Sequence, residues 1–154
     1  MKYLGVKMTI DEKDLELLRE LEKNCKQSLK KISKKTGMSI TTVYERMKRL
    51  EKNGIIRGYQ ALIDYEKIGF NLPTIIELVV KRENQFEVAQ KLIKFKNVSS
   101  IYGVTGSTDL MIIGKFKDRG ELTGFINTLF EFEGIIRTET RVILNVFEKN
   151  LVLT

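Results

Sequence analysis

The chain has 154 residues, room for one full domain or two small ones, with 31% charged and 42% hydrophobic residues, as in a folded soluble protein. No apolar run approaches the roughly 18 residues of a membrane span, the N-terminus lacks a signal-peptide core, and one cysteine (Cys25) fits a reducing cytoplasm without a disulfide framework. With no histidine and a single cysteine, an ordinary zinc site and an imidazole-based triad are excluded. The net charge is +7, and residues 1–58 hold all of it, with 15 basic against 8 acidic side chains; residues 59–154 hold 12 of each. A basic surplus confined to one segment is the footprint of a module that meets phosphate, although a solvated lysine-rich surface leaves the same mark.

In chain order, Asp11 caps a first helix with Glu12 and Asp14 in its first turn and a stripe of Leu15, Leu18 and Leu21, flanked by Ile10 and Leu17. Ser28 caps a second, short helix that buries Leu29 and Ile32 and ends at Gly37. Ser39 opens a third helix that runs to Asn53-Gly54, with Val43, Met47 and Leu50 inward. At about 100° per residue, Thr41, Glu45, Lys48 and Lys52 fall on the opposite face; Thr42 and Arg49 flank it on one side and Tyr44 on the other. A short helix, a glycine turn and a second helix with a mixed polar face form a helix-turn-helix pattern, whose second helix enters the major groove of double-stranded DNA. Lys30, Lys31, Lys34 and Lys35 cluster on and after the second helix, where phosphate contact positions a module without reading sequence.

Ile55 to Tyr65 alternates as a strand does and reads as an extended connector ending near Gly69. Pro73, the only proline, starts a new segment at a strand edge, where its missing N–H costs least. The expected elements that follow are a strand over Thr74–Lys81, a helix capped by Asn84, strands over Val98–Thr105 and Leu110–Phe116, a helix opened by an Asp118/Glu121 capping box, and a strand over Arg137–Phe147. That helix carries Leu122, Phe125, Ile126, Leu129 and Phe130 as a continuous stripe ending at Gly134. The order β-α-β-β-α-β is the ferredoxin-like split unit, an antiparallel sheet with both helices on one face. Ile75, Val79, Ile101 and Ile143 are candidates for the other face, and a second copy is its simplest cover. The fold class is therefore α+β: a winged-helix-like helix-turn-helix domain over 1–58, a hinge over 59–72 and a ferredoxin-like domain over 73–154.

One glycine-bearing loop gathers polar groups: Gly103-Val104-Thr105-Gly106-Ser107-Thr108-Asp109. It precedes a strand and lacks the lysine of a phosphate-binding loop. A plain hairpin is one reading. The other is a small-molecule site, with backbone amides taking a carboxylate, Asp109 an ammonium group, and Thr138 and Thr140 completing the pocket. Cys25 receives no role, and acidic pairs such as Glu131/Glu133 read as solvated helix-end charges.

Asp11 and Asp14 before a leucine stripe, Lys31-Ile32-Ser33, Thr36-Gly37-Met38-Ser39, Arg46-Met47-Lys48-Arg49-Leu50-Glu51 and Gly54-Ile55-Ile56 with Gly58-Tyr59 resemble the leucine-responsive/AsnC regulators, the feast/famine proteins. Asp64, Gly69, Val104-Thr105-Gly106, Asp109, Gly134 and Thr138/Thr140 extend the resemblance to about residue 147. It implies a homodimer, often assembled into an octamer, that binds DNA through its N-terminal module and senses an amino acid between dimers near the Thr-Gly loop. No cofactor is implied. The expected DNA contacts are Lys30, Lys31, Ser39, Thr41, Thr42, Tyr44, Glu45, Arg46, Lys48 and Arg49; the expected effector site is Tyr102 to Asp109 with Thr138 and Thr140. Many members place an acidic residue and an aromatic where this chain has Ser107-Thr108. The hydroxyls of Tyr102, Thr105, Ser107, Thr108 and Thr140 favour a polar amino acid such as glutamine over leucine. Two rivals stand beside this reading: a non-specific architectural DNA protein, and a regulatory subunit of an amino-acid-metabolising enzyme. Nothing in the sequence supplies a nucleophile with its base.

Overall fold

The computed structural model describes residues 9–146, which divide into two compact units with the boundary at Leu62/Ile63. The boundary falls inside the expected hinge, and the described residues from 63 to 146 belong to the second unit.

The first unit is three helices: α1 (Glu12–Lys23), α2 (Leu29–Thr36) and α3 (Ile40–Lys52). Each starts where a side chain takes an otherwise orphaned amide. Asp11 accepts from Asp14 N in a reciprocal capping box, Ser28 from Lys31 N, and Ser39 from Thr42 N. Gly37, at φ 68°, ends α2 in the left-handed conformation that costs glycine no Cβ clash. Leu17, Leu21, Ile32, Met38, Val43 and Leu50 form the core. The buried line of α1 runs through Asp14, Leu17 and Leu21 instead of Leu15 and Leu18, because arginines neutralise the carboxylate at the inward position. The alternating stretch from Ile55 to Tyr65 forms no strand. Among the described residues no neighbour offers it a ladder, and Ile55, Tyr59, Leu62 and Ile63 stand exposed there.

The second unit holds β1 (Leu72–Val80), α4 (Gln85–Leu92), β2 (Val98–Gly103), β3 (Leu110–Phe116), α5 (Arg119–Phe130) and β4 (Ile135–Val142). The antiparallel sheet has the order β2-β3-β1-β4, as a split β-α-β-β-α-β unit requires. The expected end of the last strand at Phe147 lies outside the described residues. Pro73 is the second residue of β1, at the start of the strand as expected; its carbonyl accepts from Ile143 N at 2.8 Å, so the missing donor falls where the β4 ladder stops. Ahead of β1, a short 3₁₀ turn (Glu66–Ile68) is held by Lys115 against the Tyr65 ring, 3.2 Å from its centroid, and by Lys117 against Phe70.

Alternation sorts β1 cleanly. Thr74, Ile76, Leu78 and Val80 are buried, and Ile75, Glu77 and Val79 point to the other face. Leu110, Ile112 and Phe116 join the buried side with Val88 and Leu92 of α4 and Leu122, Phe125 and Leu129 of α5. Phe95, Phe116, Phe125 and Phe132 pack through ring contacts at 5.4–6.4 Å. Ile101, expected on the open face, pairs with Ile112 and packs into this core. Phe130 and Phe86 fit the helical stripes yet are 71% and 77% exposed. Asn84 makes no cap hydrogen bond; it packs where a Cβ on Gly134 would come within 2.5 Å of its side chain.

Candidate DNA interface and effector loop

The exposed face of α3 is the one the helical spacing predicts: Thr41, Tyr44, Glu45, Lys48 and Lys52 are all exposed. Lys48 pairs loosely with Glu51 at 3.0 Å, and its Nζ lies 5.9 Å from the Tyr44 ring. Ser39 and Thr42 spend part of their hydroxyl capacity on each other, at 2.8 Å, in starting the helix. On α2, Lys30 and Lys31 are exposed and form no ion pair among the described residues; Lys35 is tied to Glu20 of α1. The Lys35 and Lys23 ammonium groups together hold the Glu20 carboxyl down to about 2.

Arg46 and Arg49, expected to contact DNA, reach to carboxylates of α1, Arg49 while remaining exposed. Arg46 Nη1 lies 2.7 and 2.8 Å from the two oxygens of Asp11 and 2.8 Å from Asp14 Oδ1. Arg49 Nη2 lies 2.7 and 2.6 Å from the two oxygens of Asp14, which is fully buried. The Arg46 guanidinium beside Asp11 holds that carboxyl below its ordinary value, helped by the Asp14 amide. Helical angles place the Cβ atoms correctly; the long side chains then lie along the surface towards charge.

In the second unit the loop from Gly103 to Asp109 joins β2 to β3. Gly106 has φ 118°, and the amides of Thr105, Gly106 and Ser107 are exposed with no partner among the described residues. Asp109, expected to meet a ligand ammonium, is instead a fastening. Its N–H donates to Leu78 O at 3.0 Å, and its carbonyl accepts from Val104 N and from Gln85 Nε2. Its Oδ2 accepts from Val80 N at 2.8 Å, where the β1/β4 register shifts. Thr108 is buried and donates to Glu77 Oε2 at 3.2 Å. Tyr102, by contrast, is 54% exposed. Thr138 and Thr140 oppose Leu78 and Ile76 on the helix-covered side of edge strand β4, so β1 separates them from β3 and its loop.

Sequence reasoning missed Glu77 and Arg141, which pair across β1 and β4 on the open face; Arg141 also reaches Glu139 at 2.6 Å. The period-two charges Arg137, Glu139 and Arg141 opposite Glu77 are the signal that marks such a pairing. A separate cavity of about 320 Å³ lies among Asn84, Val88, Lys91 and Phe132, rimmed by Glu87, Glu131 and Glu133.

Residues 10–57 match the model of winged helix-turn-helix DNA-binding domains, and residues 74–153 that of the Lrp/AsnC ligand-binding domain. The regulator FL11 of Pyrococcus furiosus is 33% identical over 140 residues, 91% of this chain and 93% of its own length. LrpA of Pyrococcus horikoshii is 35% identical over 136 residues, 88% of this chain and 96% of its own. Among solved structures, Bacillus subtilis LrpC superposes with TM-score 0.81 at 26% identity, covering 92% of this chain and 99% of its own. A Neisseria meningitidis transcriptional regulator in complex with L-Met gives 0.84 at 24% identity, covering 95% and 97%. A basic three-helix unit with an exposed α3, joined to a ferredoxin-like ligand-binding domain, defines a DNA-binding transcription regulator. The chain belongs to the Lrp/AsnC family.

Proposed function

We propose that this regulator acts in the cytoplasm as a sequence-specific homodimer, further assembled into an octamer, and that its DNA binding or assembly answers to a polar amino acid such as glutamine. In this reading residues 1–58 carry DNA recognition, 59–72 form the hinge, and 73–154 carry sensing and assembly. The start of α3 enters the major groove with Thr41, Glu45 and Lys48 towards base edges, and Lys30 and Lys31 meet phosphates. A second copy covers the open sheet face, where Ile75, Val79, Met111 and Ile113 are only half-buried. The chain supplies no reactive groups for turnover and works as a binder, not an enzyme.

The observation that carries the sensing role is the loop: three exposed residues, Thr105 to Ser107, whose amides have no partner among the described residues, beside the hydroxyls of Tyr102, Thr105 and Ser107. Such amides suit a carboxylate, and the hydroxyls suit a polar side chain. The L-Met held by the Neisseria protein supports an amino acid as the ligand class. Asp109 and Thr108 keep the loop in shape and are left out of the ligand contacts.

Selecting bound duplexes from a random pool, with and without each standard amino acid, tests the reading. A near-palindromic site is expected to enrich, and one amino acid to change that enrichment. A pool that stays random would return the architectural alternative. Calorimetry then isolates the loop: if Gly106→Val binds the amino acid as tightly as wild type, the ligand sits elsewhere.

A further inference from the structure

Arginine is the side chain best shaped for two-pronged contact with phosphate or guanine, and α3 carries two of them three residues apart. Both are withheld. Arg46 and Arg49 make five contacts of 2.6–2.8 Å with Asp11 and Asp14. Asp14 is fully buried, and its Oδ2 also accepts the Asp11 amide at 3.2 Å, so its acceptor sites are filled. Two carboxylates and two guanidinium groups make a locally neutral cluster. The cations left to face DNA on α2 and α3 are lysines, point charges with little geometric selectivity of their own.

We propose that Asp14, seconded by Asp11, is a specificity-determining positioning residue: it keeps Arg46 and Arg49 out of phosphate contact and fixes α3 so that Thr41, Glu45 and Lys48 do the reading. Phosphate contact binds any sequence, and each added contact raises random-DNA affinity without adding information. Holding two arginines back lowers that background and widens the gap between operator and random DNA. The inference rests on α3 being the element that meets DNA.

The test is the salt dependence of binding by the full-length protein to a random-sequence duplex and to a duplex enriched from the pool. Asp14→Asn removes the only carboxylate partner of Arg49 among the described residues and one of the two that hold Arg46. Its slope of log affinity against log salt on random DNA is expected to steepen by about 1 to 2 per protomer, and its operator-to-random ratio to fall at least several-fold. Adding Arg46→Gln and Arg49→Gln to Asp14→Asn should return the slope to the wild-type value. Asp11→Asn keeps an equally good helix cap and releases Arg46 from its exposed partner, so about half the steepening is expected there. If circular dichroism shows Asp14→Asn unfolded, Asp11→Asn decides alone. An unchanged slope, with operator and random binding falling together, makes the cluster a structural brace only and overturns the proposal. A wild type that prefers no sequence would instead defeat the reading of α3, a separate result.

Discussion

Each of the two units buries a polar side chain completely, and they treat it in opposite ways. In the first, Asp14 has every acceptor site filled by two arginines and an amide. In the second, Thr74 hides its hydroxyl in the sheet core, and Oγ1 has no hydrogen-bond partner among the described residues. A charge cannot be left bare in an interior, whereas a hydroxyl can be at a modest cost. The helical unit is thus pinned by charge, and the sheet unit holds by apolar packing strong enough to absorb a flaw.

The sharpest way to break this contrast is Asp14→Ala, which strands the Arg49 guanidinium, leaves Arg46 with Asp11 alone and breaks the reciprocal capping box. About 3 kcal/mol of stability should go, read by chemical denaturation, the low end for a broken buried pair because both arginines are partly exposed. Gly114→Ala should cost the sheet unit about 2 kcal/mol. The added Cβ would meet the Phe116 ring at 2.7 Å and Thr74 Oγ1 at 2.9 Å, with only a core side chain free to give way. Thr74→Val reverses the sign. Trading an unpaired hydroxyl for a methyl of similar size should raise the midpoint by the equivalent of about 1 kcal/mol, and a loss of that size would mean the hydroxyl has a partner after all.

The smallest effect concerns Glu20. Its folded carboxyl sits at about 2, below the usual value of 4.5, so its contribution is complete above about pH 5 and fades as the pH falls towards 2. Glu20→Gln should flatten that limb of the stability curve by less than about 1 kcal/mol; an identical acid limb in the variant would show the Lys35 contact to be idle.

Elements were legible wherever local chemistry decides them. Asp11, Ser28, Ser39 and Asp118 cap as their residue types predict, and Gly37 turns where α2 ends; Gly134, expected to end α5, instead turns the chain into β4, since α5 stops at Phe130. What stayed hidden depends on partners distant in sequence. The side of the sheet taken by Ile101 is a matter of register with Ile112. Phe130 satisfies the helical period but projects beyond the covered core. Ile55 to Tyr65 has a strand's alternation without a strand beside it among the described residues. At the sites, the α3 face followed from angles alone, while the directions of Arg46, Arg49 and Asp109 were set by buried partners on other elements.

The strand order carries a consequence for how the chain acquires its structure. β1 lies between β3 and β4, and its rung from Thr74 to Val142 joins the two ends of the second unit. The three-helix unit closes through neighbours in sequence, the kind of topology that forms fastest. The sheet waits for its last strand, because β1 has one side open until β4 arrives. During synthesis the DNA-reading helices therefore assemble first, and the ligand-binding domain is completed only after residues 135–142 have emerged.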